Sequence, residues 1–512
     1  MQRLHRGCRA VLGRPAARLA YARVLAADGE HRRAFQQFAG AARRGLPAAQ
    51  FWLGRCCLLG LGTPSSPDAA LRWLRCAAEG EYVEAQAMLA SLALQGISVG
   101  AGGGLLEAAS RFAGRPPDYQ EAMNWGRRAA AGGSAEAQTM LAYILTYGPD
   151  ELRDVPRAAR YYHSAAESGF ARGQLGWALA LLGDIGAQDT PLQDAASLGE
   201  PARDRSSEVR RMLEAAAQAD LPAAHFVLGV LDELAGGNAE RLATAAAHYH
   251  EAAGRGHRAA QFRYGVALMT GRGVERNTLH GESWLRRAGL AGDRDAAAMV
   301  GDLYSIQGEV PPNFCEAAMW FQRAAEAGHI GAARALGQLC VRGGGFGTDP
   351  VAAAHWLRVA ATEGDTVAAY ELGICLAHGI GTPRDDAEAL GWFRRAIDTM
   401  PEARYWCARM LFEGRGTAQD LPAARADFLR AAAEGIGDAA VVAGEMLVNG
   451  RGGAPDRPAA MTLFHAAAAQ GNRAAQYALE VLEPNAPMAT ADVAVPAPAG
   501  GARASGGARV AA

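Results

Sequence analysis

The sequence predicts an all-α protein, an α-solenoid superhelix of about twelve antiparallel two-helix repeats of about 36 residues. Three observations lead there. Small residues, aromatics and glycines return at a fixed step of 36, with units beginning at Leu221, His257, Asp293, His329 and Asp365, then at Met400, Ile436 and Asn472, and upstream at Leu46, Tyr82, Ser134 and Phe170. Each half of a unit places apolar residues at i, i+3 and i+4, the spacing of an amphipathic helix. The 512 residues also exceed the roughly 250–300 at which one compact core stops growing, and a linear array absorbs such length.

Counting from the start of a unit, helix A carries Ala near position 4, a large apolar residue near 8 and Gly near 9. Small residues at such places let two helix backbones approach closely. Gly-x-Gly at 15 and 17 ends helix A, because glycine turns the chain through positive φ without a β-carbon penalty. Asp or Asn at 21 then caps helix B. Glu three residues later completes the pattern of a capping box at Asp118 with Glu121, Asn313 with Glu316 and Asp385 with Glu388. An aromatic pair at 28 and 29, as in Trp320-Phe321 and Trp392-Phe393, fills the space between helices, and Ala-Ala at 32 and 33 and Gly at 36 close the unit.

Three segments follow from this pattern. Residues 1–45 form a basic leader and an atypical N-terminal capping repeat; Arg3, Arg6, Arg9, Arg14, Arg18 and Arg23 meet no acid before Asp28. Small residues interrupt each apolar stretch there, so no secretory core is present, and a solvated leader is favoured over a transit-like or surface-binding segment. Residues 46–482 form the solenoid, with insertions near 97–118 and 183–206 that fall between helices A and B and read as surface loops. Residues 483–512 are rich in Ala, Pro and Gly and read as a disordered tail, unable to form a core.

Residues 365–399 show the unit almost completely in Ala368, Leu372, Gly373, Gly379, Gly381, Asp385, Ala389, Trp392, Phe393 and Ala396. This pattern resembles the Sel1-like repeat, a relative of the tetratricopeptide repeat with a longer inter-helix loop, over about residues 46 to 482. The resemblance implies a right-handed superhelix and an adaptor or scaffold role in bacterial signalling, envelope regulation, host interaction or quality control. Ala142 and Ala408 stand where the pattern has Gly, and Asp427-Phe428 where it has two aromatics. Some secreted relatives pair cysteines in successive repeats, whereas here only Cys340 and Cys375 share nearly one phase, which argues against that branch.

Composition narrows the chemistry. All 51 basic side chains are arginine, so neither a P-loop lysine nor a Schiff-base amine exists. A formal net charge of −2 gives no field to draw nucleic acid. The eight cysteines, Cys8, Cys56, Cys57, Cys76, Cys315, Cys340, Cys375 and Cys407, form no C-x-x-C pair and point to a reducing, cytoplasmic setting. No run of eighteen apolar residues occurs, so stable membrane insertion is not expected.

Other candidate chemistry dissolves into the repeat. Gly271-Arg272-Gly273 and Gly343-Gly344-Gly345 follow helices rather than strands, unlike a dinucleotide-binding loop. His248, His250 and His257 lack the i, i+4 spacing of a helical metal pair and read as surface histidines. Cys56 and Cys57 read as packing thiols. No catalytic residue, metal or cofactor is therefore assigned.

By analogy with tetratricopeptide-like solenoids, helix A lines the concave face, with positions 6, 10, 13 and 14 open. These hold Arg334, Gln338 and Arg342 in one repeat, Tyr370 and His378 in the next, and Tyr405, Arg409, Phe412 and Glu413 in the third. Aromatic side chains mixed with arginine are the composition of interface hot spots, although helix residues that are merely solvated or partly packed have the same look. The expectation is a non-catalytic cytoplasmic scaffold that binds a segment of another protein. The alternatives are a hydrolase-like or envelope-processing enzyme with a site built by the two insertions, and a regulator exported to the periplasm.

Overall fold

The computed structural model describes residues 14–96, 116–186, 200–235, 238–343 and 347–482. The start of the basic leader, most of the first insertion, the middle of the second and the C-terminal tail lie outside these residues. The chain divides into two compact units, Met1–Pro311 and Pro312–Ala512.

The first unit contains α1 (Pro15–Ala27), α2 (His31–Ala42), α3 (Pro47–Leu59), α4 (Pro67–Glu79), α5 (Val83–Leu94), α6 (Tyr119–Ala131), α7 (Ala135–Tyr147) and α8 (Val155–Glu167). It continues with α9 (Ala171–Gly186), α10 (Glu200–Gln218), α11 (Pro222–Leu234), α12 (Ala239–Gly254), α13 (Arg258–Thr270), α14 (Thr278–Leu290) and α15 (Arg294–Ser305). The second contains α16 (Phe314–Glu326), α17 (Ile330–Arg342), α18 (Pro350–Thr362), α19 (Thr366–His378), α20 (Asp386–Ala396), α21 (Pro401–Glu413), α22 (Leu421–Ala433), α23 (Gly437–Val448), α24 (Arg457–Ala469) and α25 (Arg473–Leu482). Odd-numbered helices are helix A of their repeat and even-numbered ones helix B. No strand occurs among the described residues, and no helix among them is long and apolar enough to cross a membrane.

Within each unit, helix A packs along its own helix B, and helix B packs against the next helix A. Successive A helices also approach one another, as α5 does α7, α7 does α9 and α23 does α25, while successive B helices stand further apart. The wider gap between B helices is crossed by long arginines: Arg75 of α4 meets Glu121 of α6 at 2.7 Å, and Arg358 of α18 meets Glu388 of α20.

Those bridges change the reading of two capping boxes. Asp118 and Asp385 do cap their B helices, accepting the Glu121 and Glu388 amides at 2.9 and 2.8 Å. The return half of each box does not form. The cap residue's own amide already donates to the end of helix A, Asp118 to the Ala93 carbonyl and Asp385 to that of Leu376, and this frees each glutamate to hold the arginine of the preceding repeat. Position 1, which marks the repeat boundary, also caps helix A through Ser134, His257, Asp293, His329 and Asp365.

Glycine at 9 is a packing requirement. A β-carbon on Gly373 would stand 2.6 Å from the Phe393 ring, and one on Gly444 2.6 Å from the ring of Phe464. The second glycine of Gly-x-Gly does a different job: Gly381 has φ +68°, and a β-carbon there would lie 1.8 Å from the Pro350 carbonyl oxygen at the start of helix B in the preceding repeat. The loop thus presses backbone to backbone across repeats.

The second insertion is shorter than the 183–206 loop read from the sequence, because α9 runs to Gly186 and α10 starts at Glu200. Leu and Ala at the end of α9, and Arg and Glu along α10 with Pro201 in its first turn, are good helix formers in good places.

Candidate functional site

The nine residues expected along the groove lie on α17, α19 and α21, the A helices of three consecutive repeats in the second unit. Arg342, His378 and Glu413 are exposed at the C-terminal ends of these helices, and the other six are half-buried. Two of the half-buried residues join one A helix to its neighbour. Arg334 of α17 donates to Asp365 at 2.9 Å, the residue that caps α19. Gln338 donates to Glu371 Oε1 at 2.7 Å. The other carboxylate oxygen, Glu371 Oε2, is buried with no hydrogen-bond partner among the described residues. Burial pushes this carboxyl above the usual range, against the opposing pull of Gln338, Arg334 and Arg342.

Next to this polar ladder runs an aromatic shelf. Trp406 of α21 stacks on Phe393 of α20 with ring centroids 5.7 Å apart, and its edge meets His378 at 5.5 Å. Tyr370 leans on Phe393 at 6.0 Å, and burial raises its phenol pKa. Arg409 lies over the Trp406 ring at 5.2 Å and reaches Glu413 at 2.9 Å. Tyr405 and Phe412 both pack against the fully buried Phe428, and Arg451 covers the Phe412 ring at 5.8 Å.

Two members of this surface, Glu371 and Trp406, were missed in the sequence. Both sit at position 7, which faces the preceding repeat. The signal was present elsewhere: Trp52, also at position 7, stacks on Phe38 of the repeat before it at 5.9 Å and lies under Arg55 at 4.7 Å. The Trp406–Arg409 pair therefore repeats a packing device of the fold.

Below the shelf, Arg415 follows α21 and binds Asp386 Oδ1 at 2.6 Å and the Ala377 carbonyl near the end of α19 at 2.9 Å. Hydrogen bonds from Arg415 and Arg384 hold the Asp386 carboxyl down at about 2. The buried thiols Cys375 and Cys407 are pushed up by burial to about 11 and about 12, away from the range of a nucleophile.

The histidines separate. His257 caps α13, and His250 packs against Tyr264 and Trp284. His248 instead meets His225, twenty-three residues upstream. Among the described residues no group of three or more His, Cys, Asp or Glu is arranged to hold a metal ion.

A family model described as Sel1 repeat matches residues 47–82, 109–134, 135–170, 258–293, 294–329, 330–365, 366–398, 401–436 and 437–472. The chain is a member of the Sel1 repeat family, in keeping with its all-α repeat solenoid. A solved protective antigen from uropathogenic Escherichia coli, described as displaying an SLR fold, is 23% identical with a TM-score of 0.59, over 88% of this chain and 90% of that one. A Sel1 repeat protein from Oxalobacter formigenes is 27% identical with a TM-score of 0.44, over 67% of this chain and 93% of that one. Among curated proteins, chitin synthase regulatory factor 3 of Schizosaccharomyces pombe is 31% identical over 141 residues. That stretch is 27% of this chain, and it spans only 14% of the fission-yeast protein. Proteins built from Sel1 repeats generally mediate protein–protein interaction.

Proposed function

We propose that this chain is a non-catalytic scaffold or adaptor of a bacterial cytoplasm, acting in signalling or envelope regulation, and that it holds a segment of a partner protein along the inner face of α17, α19 and α21. The observation that carries this is the shelf: half-buried rings of Tyr370, Tyr405, Trp406 and Phe412, with Arg409 and Arg451 over two of them, bordered by exposed Arg342, His378 and Glu413. Flat aromatic area exposes apolar surface at little entropic cost on binding, and arginine adds directional donors, so such a strip favours peptide contact over small-molecule chemistry. A regulatory name on one relative and the interaction role common in the family support the same reading.

The test is affinity capture of the full-length chain from its native cells, with bound proteins identified by mass spectrometry. A triple variant, Arg342→Ala, His378→Ala and Glu413→Ala, alters exposed side chains only, so its helical circular dichroism should match the parent. Loss of a captured protein from that variant supports the assignment. Equal capture by both proteins moves the binding surface elsewhere on the chain.

A further inference from the structure

In the sixth repeat, position 28 carries His248, where Trp73, Tyr161, Trp284, Trp320, Trp356 and Trp392 stand in other repeats. His248 of α12 turns its Nδ1 to the Nδ1 of His225 on α11 at 3.3 Å. Its Nε2 faces Asp232 Oδ2 at 3.9 Å. Asp232 is 4% exposed; its Oδ1 accepts from Arg210 of α10, and its Oδ2 has no hydrogen-bond partner among the described residues.

We propose that His225 and His248 form a binding site for one borderline divalent cation such as zinc, with Asp232 as the carboxylate that orients His248 from behind. Two nitrogens 3.3 Å apart, each about 2.0–2.1 Å from a zinc ion, subtend roughly 105° at the metal, close to the tetrahedral angle. A carboxylate that hydrogen-bonds the far nitrogen of a ligating imidazole fixes its tautomer and raises its basicity; Asp232 Oδ2 lies on that side of His248, 3.9 Å from Nε2, and would close to hydrogen-bond distance when the cation binds. The surroundings also suit a cation. The charges acting on the two rings come from four carboxylates, Glu214, Asp220, Asp232 and Glu251, against two arginines, Arg210 and Arg255. The His248 side chain is 24% exposed, so the ion has a way in and water completes its coordination. The cation would pin α11 to α12.

The experiment is calorimetric titration of Zn²⁺ into the full-length chain after chelator treatment and thiol blocking, repeated with His248→Ala, His225→Ala and, as a control two residues away, His250→Ala. Expected is one equivalent of tight binding and a higher Tm with zinc in the parent and in His250→Ala, both lost in the other two variants. Thermal unfolding without zinc checks that each variant folds. No stoichiometric binding by the parent, or binding that survives in both His248→Ala and His225→Ala, overturns the site.

Discussion

Glu371 and Asp386 show how one fold moves two carboxylates in opposite directions. Glu371 is buried against Gln338 with one oxygen unsatisfied, and its pKa rises above the ordinary 4.5. The folded chain then binds more protons than the unfolded chain from about pH 4.5 upward, so this group weakens the fold as pH rises through that window. Glu371→Gln keeps an acceptor for Gln338 and removes the buried charge. At pH 7 it should be as stable as the parent or more stable by about 1 kcal/mol, with the advantage gone at pH 4. Urea unfolding at the two pH values decides it; a less stable variant at pH 7 would show that the charge is compensated. Asp386 has the reverse sign. Its pKa falls from 3.8 to about 2 under two arginines, so its contribution is present above 3.8 and lost as pH falls through about 2. Replacing Arg415 by Ala should cost about 1–2 kcal/mol at pH 7, and the acid-induced loss between pH 4 and pH 2 should shrink.

At the scale of the element, a turn read from sequence proves to be a contact between repeats. Gly381 was legible as a helix stop, since Gly-x-Gly recurs after the A helices that end at Leu59, Thr270, Arg342, His378 and Glu413, but not as the point where its loop touches the start of α18. That contact joins residues about thirty apart, and no local spacing encodes it. Gly381→Ala adds left-handed strain of about 1–2 kcal/mol and a clash with backbone that cannot swing aside. Gly391, inside α20 with open space around it, is the matched control. Gly391→Ala should stabilise by about 0.5–1 kcal/mol through helix propensity. Thermal melts of the two single variants should therefore move in opposite directions. The candidate face was legible to a similar depth. Period and helix phase located α17, α19 and α21 and the nine side chains on them. Glu371 and Trp406 escaped because position 7 points along the array to the previous repeat, where a reading made one helix at a time does not look. The His225–His248 meeting escaped for the same reason, since the two histidines lie on the two helices of one hairpin, twenty-three residues apart.

A chain whose helices touch only near neighbours should lose structure locally. In the second unit the core around Phe393 is built mainly from α18 to α21, with Ala325 of α16 and Ala333 of α17 at its edge and Leu357, Leu372, Trp392, Cys407 and Met410 among its buried members. Phe393 is 0% exposed, lies against Gly373 and supports both Trp406 and Tyr370. Phe393→Ala should cost about 3–5 kcal/mol, the range for deleting a buried ring. In a globular domain that loss would lower protection from hydrogen exchange throughout. In a nearest-neighbour array it falls on the repeats that share the cavity. Amides of α19 to α22 should exchange faster by orders of magnitude, while α3 to α8 of the first unit keep their parental rates. Hydrogen exchange read by mass spectrometry resolves the two patterns. A uniform acceleration across both units would mean that the chain folds as one cooperative body, and a partner gripping the shelf would then stabilise the whole chain instead of the repeats it touches.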